Sequence, residues 1–378
     1  CSLIFNTSIL NIRIYPTDGD LDTSGTSGSI YIQDPQLEEG LVARDYIETT
    51  TSAVYGGITD NIPRLDYSGG ASCPSLLLEP TRTNLITHSE YVSGITTIRA
   101  TINLDNSQPS PTNDLGVYYL TATSANGLWY YPLSTSGNGV FSVYLKRKTG
   151  VGNVKLSVNG GVNYTNVSVT NEWKRFSIST TSGLGQLVVN CETSGDEVYL
   201  WGLQAEEASY ATSYIPTYGT AVTRNQDTCT KTGISSLIGQ EQGTIFIDFK
   251  RTFKNDNYNR YLVVDDNDSS VYRTGIFILP EPSDDGRLYI SVRNNSTSVF
   301  AHTYNDTTNK DLKIAVAYRS GDIDYFVNGV KVDSSTTTFS FSHTLERIAI
   351  NGSNQENNQI LVFKTKLTDS ECITLTTL

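Results

Sequence analysis

Two adjacent carboxylates, Glu206 and Glu207, lie in the stretch VYLWGLQAEEASYATSYIPT beside Trp201 and several tyrosines. Carboxylates next to aromatic rings are the combination that a sugar-cleaving site requires. Such a site holds its two carboxyl groups on opposite sides of one bond, about 5–9.5 Å apart. Neighbouring residues of a strand point to opposite faces, so this pair cannot line one cleft if the stretch is a strand. We therefore predict a structural role for both glutamates, and no catalytic residue in the chain.

Aromatic side chains offer a second kind of chemistry, because exposed rings can hold the apolar CH faces of sugars. Trp129, Tyr130 and Tyr131 form the densest aromatic cluster, and Tyr144 is its expected companion. On a strand, Trp129 and Tyr131 share one face. These four residues are the candidate carbohydrate-binding residues, and the alternative is that the shared face belongs to the core.

Two acidic loops place carboxylates at alternate positions, as a calcium site requires. The stretch DGDLD supplies Asp18, Asp20 and Asp22, and DDNDSS supplies Asp266 and Asp268. Neither loop continues as an EF-hand, because the glycine and the final glutamate are missing. Both loops are candidate sites for structural calcium, and solvated turns are the alternative.

Zinc binding and Ser/His/Asp catalysis find no support in the sequence. The 5 cysteines are scattered without CxxC spacing, and the 3 histidines are isolated from one another. This pattern also argues against a disulfide framework.

Charge and hydropathy exclude two classes of partner. The formal charge is −12, with no cluster of Lys and Arg that could displace counterions from a nucleic acid. No apolar run approaches the ~20 residues that cross a bilayer, so we expect no membrane insertion.

The elements that must position these residues are strands. The chain has 23 Tyr and no Met, and it is rich in Thr, Val and Ile. In FSVYLKRK, Phe141, Val143 and Leu145 alternate with polar residues, which indicates a sheet with one buried face. Asn328-Gly329 predicts a hairpin turn, and Thr368 begins the one good helix signal. The predicted fold class is all-β, built of serial jelly-roll or β-sandwich modules.

An internal repeat divides the chain. Residues 30–54 overlay residues 198–222 at an offset of 168, with 10 identities in 25 ungapped positions. Gln36 meets Gln204, and Glu38-Glu39 meet Glu206-Glu207. Because self-similarity at a fixed offset signals repeated modules, we expect the chain to begin inside a module of the same type. The predicted organisation is the C-terminal part of a β-sandwich module (1–54), an extended connector with short strands (55–83), a jelly roll (84–217), a linker (218–231) and a second sandwich (232–378).

Residues 84–217 resemble the carbohydrate-binding jelly rolls of the family 4/9 type, particularly those within structural proteins of tailed bacteriophages. The resemblance rests on FSVYLKRK (141–148), NEWKRFSI (171–178) and WGLQAEEASYATSYIPT (201–217). The preceding PRLDYSGGASCPSLLLEPTRTNL (63–85) is similar to a connector of phage tail and fibre proteins. Calcium is common in jelly rolls of this type, so the resemblance also implies it as a structural ion.

Residues 243–378 resemble laminin-G and concanavalin-like sandwiches through GTIFIDF, LKIAVAYRSGDIDYFVNGVKV and FKTKLTDSE. Together the resemblances imply a non-enzymatic fibre or appendage protein on the surface of a virion. Its expected partners are other virion proteins, host cell-surface polysaccharide and copies of itself, as a homotrimer. The alternatives are a decoration protein without a ligand, a polysaccharide depolymerase and a bacterial surface adhesin.

Overall fold

The computed structural model describes residues 63–67, 74–92, 96–251, 261–267, 274–280, 287–305, 310–351 and 355–378. They fall into two compact units. The first contains Thr83–Thr223, and the second contains Asp60–Arg82 and Arg224–Leu378. The repeat copy at residues 30–54 lies outside the described residues, so its predicted fold stays a prediction.

Strands make up nearly all of the regular structure. In chain order they are β1 (Leu65–Asp66), β2 (Ser75–Leu78), β3 (Arg82–Asn84), β4 (Thr97–Ile98), β5 (Ala100–Pro109), β6 (Leu115–Ala122), β7 (Gly127–Tyr131), β8 (Gly139–Thr149), β9 (Val154–Ser157), β10 (Thr165–Val167), β11 (Lys174–Thr180), β12 (Leu187–Cys191), β13 (Glu197–Glu206), β14 (Val222–Arg224), β15 (Thr228–Lys231), β16 (Gln242–Arg251), β17 (Leu262–Asp265), β18 (Gly275–Pro280), β19 (Leu288–Asn294), β20 (Thr297–Tyr304), β21 (Lys310–Arg319), β22 (Asp322–Val327), β23 (Val330–Ser335), β24 (Arg347–Asn351) and β25 (Gln355–Phe363). Within the described ranges the chain forms one α-helix, α1 (Asp369–Thr376), and it is too short and polar to cross a membrane. The all-β prediction is confirmed.

The first unit is a sandwich of two five-stranded sheets. The front sheet has the order β11-β8-β13-β6-β5, and the back sheet has the order β10-β9-β12-β7-β4. Side chains from both sheets meet in one core, to which β8 contributes Phe141, Val143 and Leu145. The alternation in FSVYLKRK therefore does what the sequence predicts: one face of the strand is buried in the core and the other faces outward.

A bulge in β13 sets the direction of its last side chains. The register with β8 shifts between Trp201 and Gln204, and Gly202 has a φ of +62°. Glycine adopts this left-handed conformation without a steric penalty, which is why it suits a bulge. Because of the extra residue, Leu203 still reaches the core while Trp201 and Gln204 pair with outward residues of β8.

Asn84 ties this unit together near the start of its chain. Its side-chain amide donates to the carbonyl oxygens of Leu203 and Ile215, at 3.1 and 2.9 Å. Its side-chain oxygen accepts from the backbone N–H groups of Ile86 and Ala205, both at 3.1 Å. A buried amide with every bond satisfied can hold three segments of chain in one arrangement.

The second unit is also a sandwich. Its sheets have the orders β1-β2-β25-β16-β21-β22-β23 and β15-β24-β17-β18-β19-β20. The large core between them includes Ile245, Tyr261, Ile290 and Tyr325. The predicted connector, residues 55–83, contains the described strands β1 and β2, which join the first of these sheets because β1 pairs with β2 and β2 pairs with β25.

Two local predictions for this unit are confirmed. Asn328 and Gly329 have φ values of +48° and +78°, as a tight hairpin turn between β22 and β23 requires. Thr368 caps α1 by accepting from the N–H of Glu371, whose carboxylate accepts from the N–H of Thr368. The helix then packs Cys372 on the outer side of the seven-stranded sheet.

A buried ionic cluster secures the segment before β3. Glu79 is 4% exposed, and its carboxylate lies 2.6 Å from Arg64 and 3.0 Å from Arg224. Asp227 accepts a hydrogen bond from the N–H of Glu79 at 2.7 Å and also contacts Arg64. The LLLEPTRTNL stretch is thus a structural motif, because its glutamate neutralises two arginines and its asparagine bridges three segments.

Candidate functional site

The outer face of the front sheet is the side turned away from the core of the first unit. In register, Tyr144 lies between Arg175 and Trp201, and Tyr199 lies between Lys146 and Tyr119. Aromatic and charged side chains therefore cross this face in rows. The outer face comprises Tyr119, Thr121, Tyr144, Lys146, Lys148, Trp173, Arg175, Glu197, Tyr199 and Trp201.

One end of the outer face is covered by the residues that follow β13, here called the closing segment (207–217). The ring of Tyr214 lies 4.7 Å from that of Trp201, which is buried. Arg175 donates to the carbonyl oxygen of Thr212 at 2.6 Å. Gln204 accepts from the N–H of Ile215 at 2.7 Å. These contacts make Trp201 part of a second small core, so it cannot serve as a sugar platform.

The two adjacent glutamates have different environments. Glu206 is fully buried and accepts hydrogen bonds from the backbone N–H and the hydroxyl of Thr212, at 3.0 and 2.5 Å. Glu207 is exposed. One carboxylate fastens the closing segment and the other faces solvent, so no shared cleft exists between them. The predicted structural role of Glu206 is visible in these bonds.

The other end of the outer face is open and polar. Lys148 Nζ lies 3.4 Å above the centre of the Tyr119 ring and 2.9 Å from the carboxylate of Glu197. Thr121 donates to the same carboxylate at 2.9 Å. This open end combines an aromatic ring, an ammonium, a carboxylate and a hydroxyl within one connected group. Such groups can hydrogen-bond to neighbouring hydroxyls of a sugar while the ring contacts its CH face.

The end of β5 borders the open end. Asp105 accepts from the hydroxyl of Tyr199 at 2.7 Å, and the carbonyl oxygen of Pro109 accepts from Trp173 Nε1 at 3.0 Å. The hydrogen bonds from Ser107 and Tyr199 lower the pKa of the Asp105 carboxyl. A fixed, ionised carboxylate therefore holds Tyr199 beneath Tyr119 and Trp173.

The Lys148–Glu197 pair is ionised across the neutral range. Burial raises the pKa of Glu197, but the hydrogen bonds from Lys148 and Thr121 lower it by more, and the net pKa lies below its ordinary value. Burial lowers the pKa of Lys148, whereas its bonds to Glu197 and Tyr119 raise it by more. The group thus presents one fixed positive and one fixed negative charge.

These lowered carboxyl pKa values predict an acid-sensitive first unit. A carboxyl whose pKa is lower in the folded state stabilises the fold above its unfolded pKa, about 4 for Asp and Glu. That contribution is lost as the pH falls through the folded pKa. We expect the combined Asp105→Asn and Glu197→Gln variant to lose less stability than the unaltered protein between about pH 4.5 and pH 2. Denaturant unfolding followed by tryptophan fluorescence measures it.

Glu207→Gln is the control for that experiment, because Glu207 is exposed. It should keep the acid sensitivity of the unaltered protein. An equally steep decline in the double variant would contradict the role of the two carboxyls.

The sequence-predicted aromatic residues divide between core and surface. Trp129 is fully buried and stacks between Tyr131 and Phe141, with ring centres 6.4 Å from each. Its prediction as a sugar-contacting residue is therefore wrong, because its face of β7 belongs to the core. Tyr131 is half-buried on the same side, and Tyr130 is half-buried on the opposite side of β7.

Tyr144 is the one member of that set on the outer face. It is half-buried, its ring lies 5.5 Å from that of Trp201, and the Arg175 guanidinium lies 5.6 Å from its centre. The structure does not bring Tyr144 together with Trp129, because β7 and β8 belong to different sheets.

The calcium predictions fall mostly outside the described residues, which exclude Asp18, Asp20, Asp22 and Asp268. Asp266 lies 3.5 Å from His343 Nδ1. Its neighbour Asp265 accepts from Arg347 Nε at 2.7 Å, so an arginine already neutralises it. In the described part of the chain, no three His, Cys, Asp or Glu residues are grouped as a metal site requires. Calcium binding stays a prediction.

A serine, a histidine and an aspartate do meet in the second unit. Ser342 Oγ and Asp266 Oδ2 lie 3.0 and 3.5 Å from His343 Nδ1. A nucleophile relay uses both ring nitrogens, one towards the serine and one towards the aspartate. Because both contacts here are to Nδ1, this group does not form such a relay.

Sequence reasoning missed Tyr119, Lys148 and Glu197. All three occupy outward positions of alternating strands, in GVYYLTA, LKRKT and EVYLW. The alternation of outward and inward residues is visible in these stretches. However, three strands that are distant in sequence become neighbours only through the order of strands in the sheet.

Comparison with known proteins finds similarity in solved structures alone. No protein-family model and no curated protein matches the sequence. The CBM40 of Ruminococcus gnavus IT-sialidase is 16% identical over 38% of this chain and 86% of its own, with a TM-score of 0.32. The same module bound to alpha2,3 sialyllactose is 15% identical over 40% and 98%, with a TM-score of 0.33. Domain 4 of AbnA, a GH43 extracellular arabinanase from Geobacillus stearothermophilus in complex with arabinotriose, is 15% identical over 37% and 68%, with a TM-score of 0.29. At these scores the similarities assign no ligand and no activity to this chain.

Proposed function

We propose that this chain is a non-enzymatic glycan-binding protein and that the open end of the outer face is its binding surface. The observation that carries the proposal is the connected group of Tyr119, Lys148, Glu197 and Thr121. A sugar offers paired hydroxyls and an apolar CH face. The carboxylate accepts from hydroxyls, the ammonium donates to them, and the ring supplies the apolar contact.

The surface is already shaped before a ligand arrives. Tyr119 lies 5.8 Å from Tyr199, which is held in turn by Asp105 and contacts Trp173. Side chains with fixed positions lose little conformational freedom on binding, so more of the contact energy appears as affinity.

We also propose that the protein does not catalyse a reaction. Glu206 is buried under the closing segment, whereas Glu207 is exposed, so the adjacent pair offers no acid and base across one bond. Glu197 is held by Lys148 and Thr121, and its lowered pKa makes it a poor general acid.

We place the protein on the surface of a tailed-phage virion, as a fibre or appendage that binds host-cell polysaccharide. Support comes from the phage-like motifs at 63–85 and 201–217 and from the serial modules. A shallow face binds each sugar weakly, and several copies on one fibre would compensate through avidity. A homotrimer supplies such copies. Mass spectrometry of purified virions tests this placement, which fails if the chain is absent from particles.

The binding surface is tested by replacing Tyr119. We expect Tyr119→Ala to weaken binding to a glycan-array hit about tenfold, equivalent to about 1.4 kcal/mol, because a central aromatic contact is lost. Tyr130→Ala is the matched control, since Tyr130 is half-buried on the back sheet. Isothermal titration with the hit oligosaccharide measures both variants.

Equal glycan affinity of Tyr119→Ala and the unaltered protein would show that the outer face is not the binding surface. No binding to any glycan on a high-avidity array would overturn glycan binding and favour a purely structural protein. Release of reducing sugar from host polysaccharide would overturn the non-enzymatic proposal.

A further inference from the structure

Lys146 stands near the middle of the outer face without an acidic partner. It pairs in register with Tyr199, is half-buried, and its Nζ lies 3.5 Å from the side-chain oxygen of Gln108. That neighbour is a neutral amide. Among the described residues, no carboxylate forms an ion pair with Lys146, whereas the nearby Lys148 is paired with Glu197.

Arg175 provides a second positive charge that no described carboxylate pairs with. Its guanidinium donates to the Thr212 carbonyl oxygen and to Ser142 Oγ, at 2.6 and 2.8 Å, and lies over the Tyr144 ring. Its Nε is buried without a hydrogen-bond partner. Arg175 pairs in register with Tyr144, two residues from Lys146 on the same strand face. Two unpaired cations are therefore diagonal neighbours, about 7–8 Å apart at the backbone.

The carboxylates of this face are already engaged. Glu197 is bound by Lys148 and Thr121, and Asp105 is bound by Tyr199 and Ser107. Lys146 and Arg175 therefore lie on this face without a carboxylate in an ion pair, although the whole chain carries a formal charge of −12. Cations that the protein's own carboxylates do not pair with can attract an anionic ligand.

We propose that the outer face selects glycans that carry a carboxylate, with Lys146 as the residue that contacts the acidic group. This inference deepens the proposed glycan-binding function and rests on it. Lys146 pairs in register with Tyr199, whose ring centre lies 6.2 Å from that of Trp173. Arg175 is held in place by the closing segment and adds to the positive potential without moving. The carboxylate of an acidic sugar would form the ion pair that Lys146 lacks.

The experiment compares probes that differ only in the acidic group. The first pair is an oligogalacturonate and the same oligosaccharide with its carboxyls reduced to alcohols. The second pair is 3′-sialyllactose and the same trisaccharide with the carboxyl of its sialic acid reduced to an alcohol. The two pairs distinguish a uronic acid from a sialic acid as the source of the carboxylate. Affinities of the full chain are measured by isothermal titration at low and at moderate salt concentration.

Lys146→Met is the variant to test, because methionine keeps the length and apolar stem of the lysine while removing the charge. We expect it to lose about tenfold in affinity for the acidic member of a pair and almost nothing for the neutral member. Lys174→Met is the matched control, since Lys174 is exposed on the neighbouring strand and pairs in register with core-facing Leu145. It should bind as the unaltered protein does.

Preference for the acidic member that disappears in Lys146→Met and weakens with salt supports the inference. Equal affinity for both members of each pair, with binding still lost in Tyr119→Ala, overturns the inference and leaves glycan binding in place. An equal loss in Lys174→Met also overturns it, because net charge alone would then explain the effect. Failure of the array to find any glycan overturns the proposed function itself and this inference with it.

Discussion

Replacement of Trp129 by alanine is expected to destabilise the first unit by about 3–5 kcal/mol. Its side chain is among the largest fully buried ones, and it stacks between Tyr131 and Phe141 in the core. Removing the indole loses its burial and leaves a cavity that the surrounding strands cannot fill. The change should shift the denaturant midpoint of this unit strongly downward.

Tryptophan fluorescence is a selective probe for this measurement. The chain has 3 tryptophans, and all of them lie in Thr83–Thr223. Trp173 and Trp201 still report on the unit after Trp129 is replaced. Tyr130→Ala is the control, since Tyr130 is half-buried on the opposite side of the same strand, and we expect a loss below about 1 kcal/mol. Similar losses in the two variants would contradict the assignment of Trp129 to the core.

The second large effect is expected from Glu79→Ala in the other unit. The substitution removes the carboxylate that lies 2.6 Å from Arg64 and 3.0 Å from Arg224, while Asp227 still contacts Arg64. Burial already lowers the pKa of Arg64, which shows how unfavourable its charge is at this position. Breaking a buried ion pair from one side costs about 3–5 kcal/mol, because the opposite charge stays buried.

Hydrogen exchange with mass spectrometry resolves this effect by segment. Amides of β16, β21 and β22 should lose protection in Glu79→Ala, whereas tryptophan fluorescence of the first unit should hardly change. Arg319→Ala is the control, because Arg319 forms an exposed pair with Asp322 and such pairs contribute less than about 1 kcal/mol. Unchanged protection in Glu79→Ala would show that the cluster is not needed for stability.

The second copy of the repeat shows which contacts two of the repeated residues make. Gln204 and Glu206 both hydrogen-bond to the closing segment, through Ile215 and Thr212 respectively. Their counterparts Gln36 and Glu38 carry the same side chains. What the two copies share in sequence is therefore the glutamine and glutamate that fasten the closing segment in the second copy, whereas Trp201 has Gln33 at the equivalent position.

Local sequence determined most of the secondary structure and the fold class. The period-2 pattern of FSVYLKRK, the Asn328-Gly329 turn and the capping box of Thr368 and Glu371 each depend on backbone conformation over a few residues. Such preferences can be read from neighbouring residues, because they arise from neighbouring atoms. The prediction that the adjacent glutamates do not line one cleft followed in the same way, from the alternation of side chains along a strand.

Tertiary structure alone decided which face of each strand is turned outward and which is buried. Trp129 and Tyr119 both lie in aromatic stretches of alternating strands, yet one fills the core and the other borders an open polar surface. An alternating sequence pattern assigns residues to two faces of a strand, but it does not indicate which face packs against the second sheet. The group around Glu197 likewise depends on β13 lying between β6 and β8, a sheet order fixed by long-range pairing that no local pattern encodes.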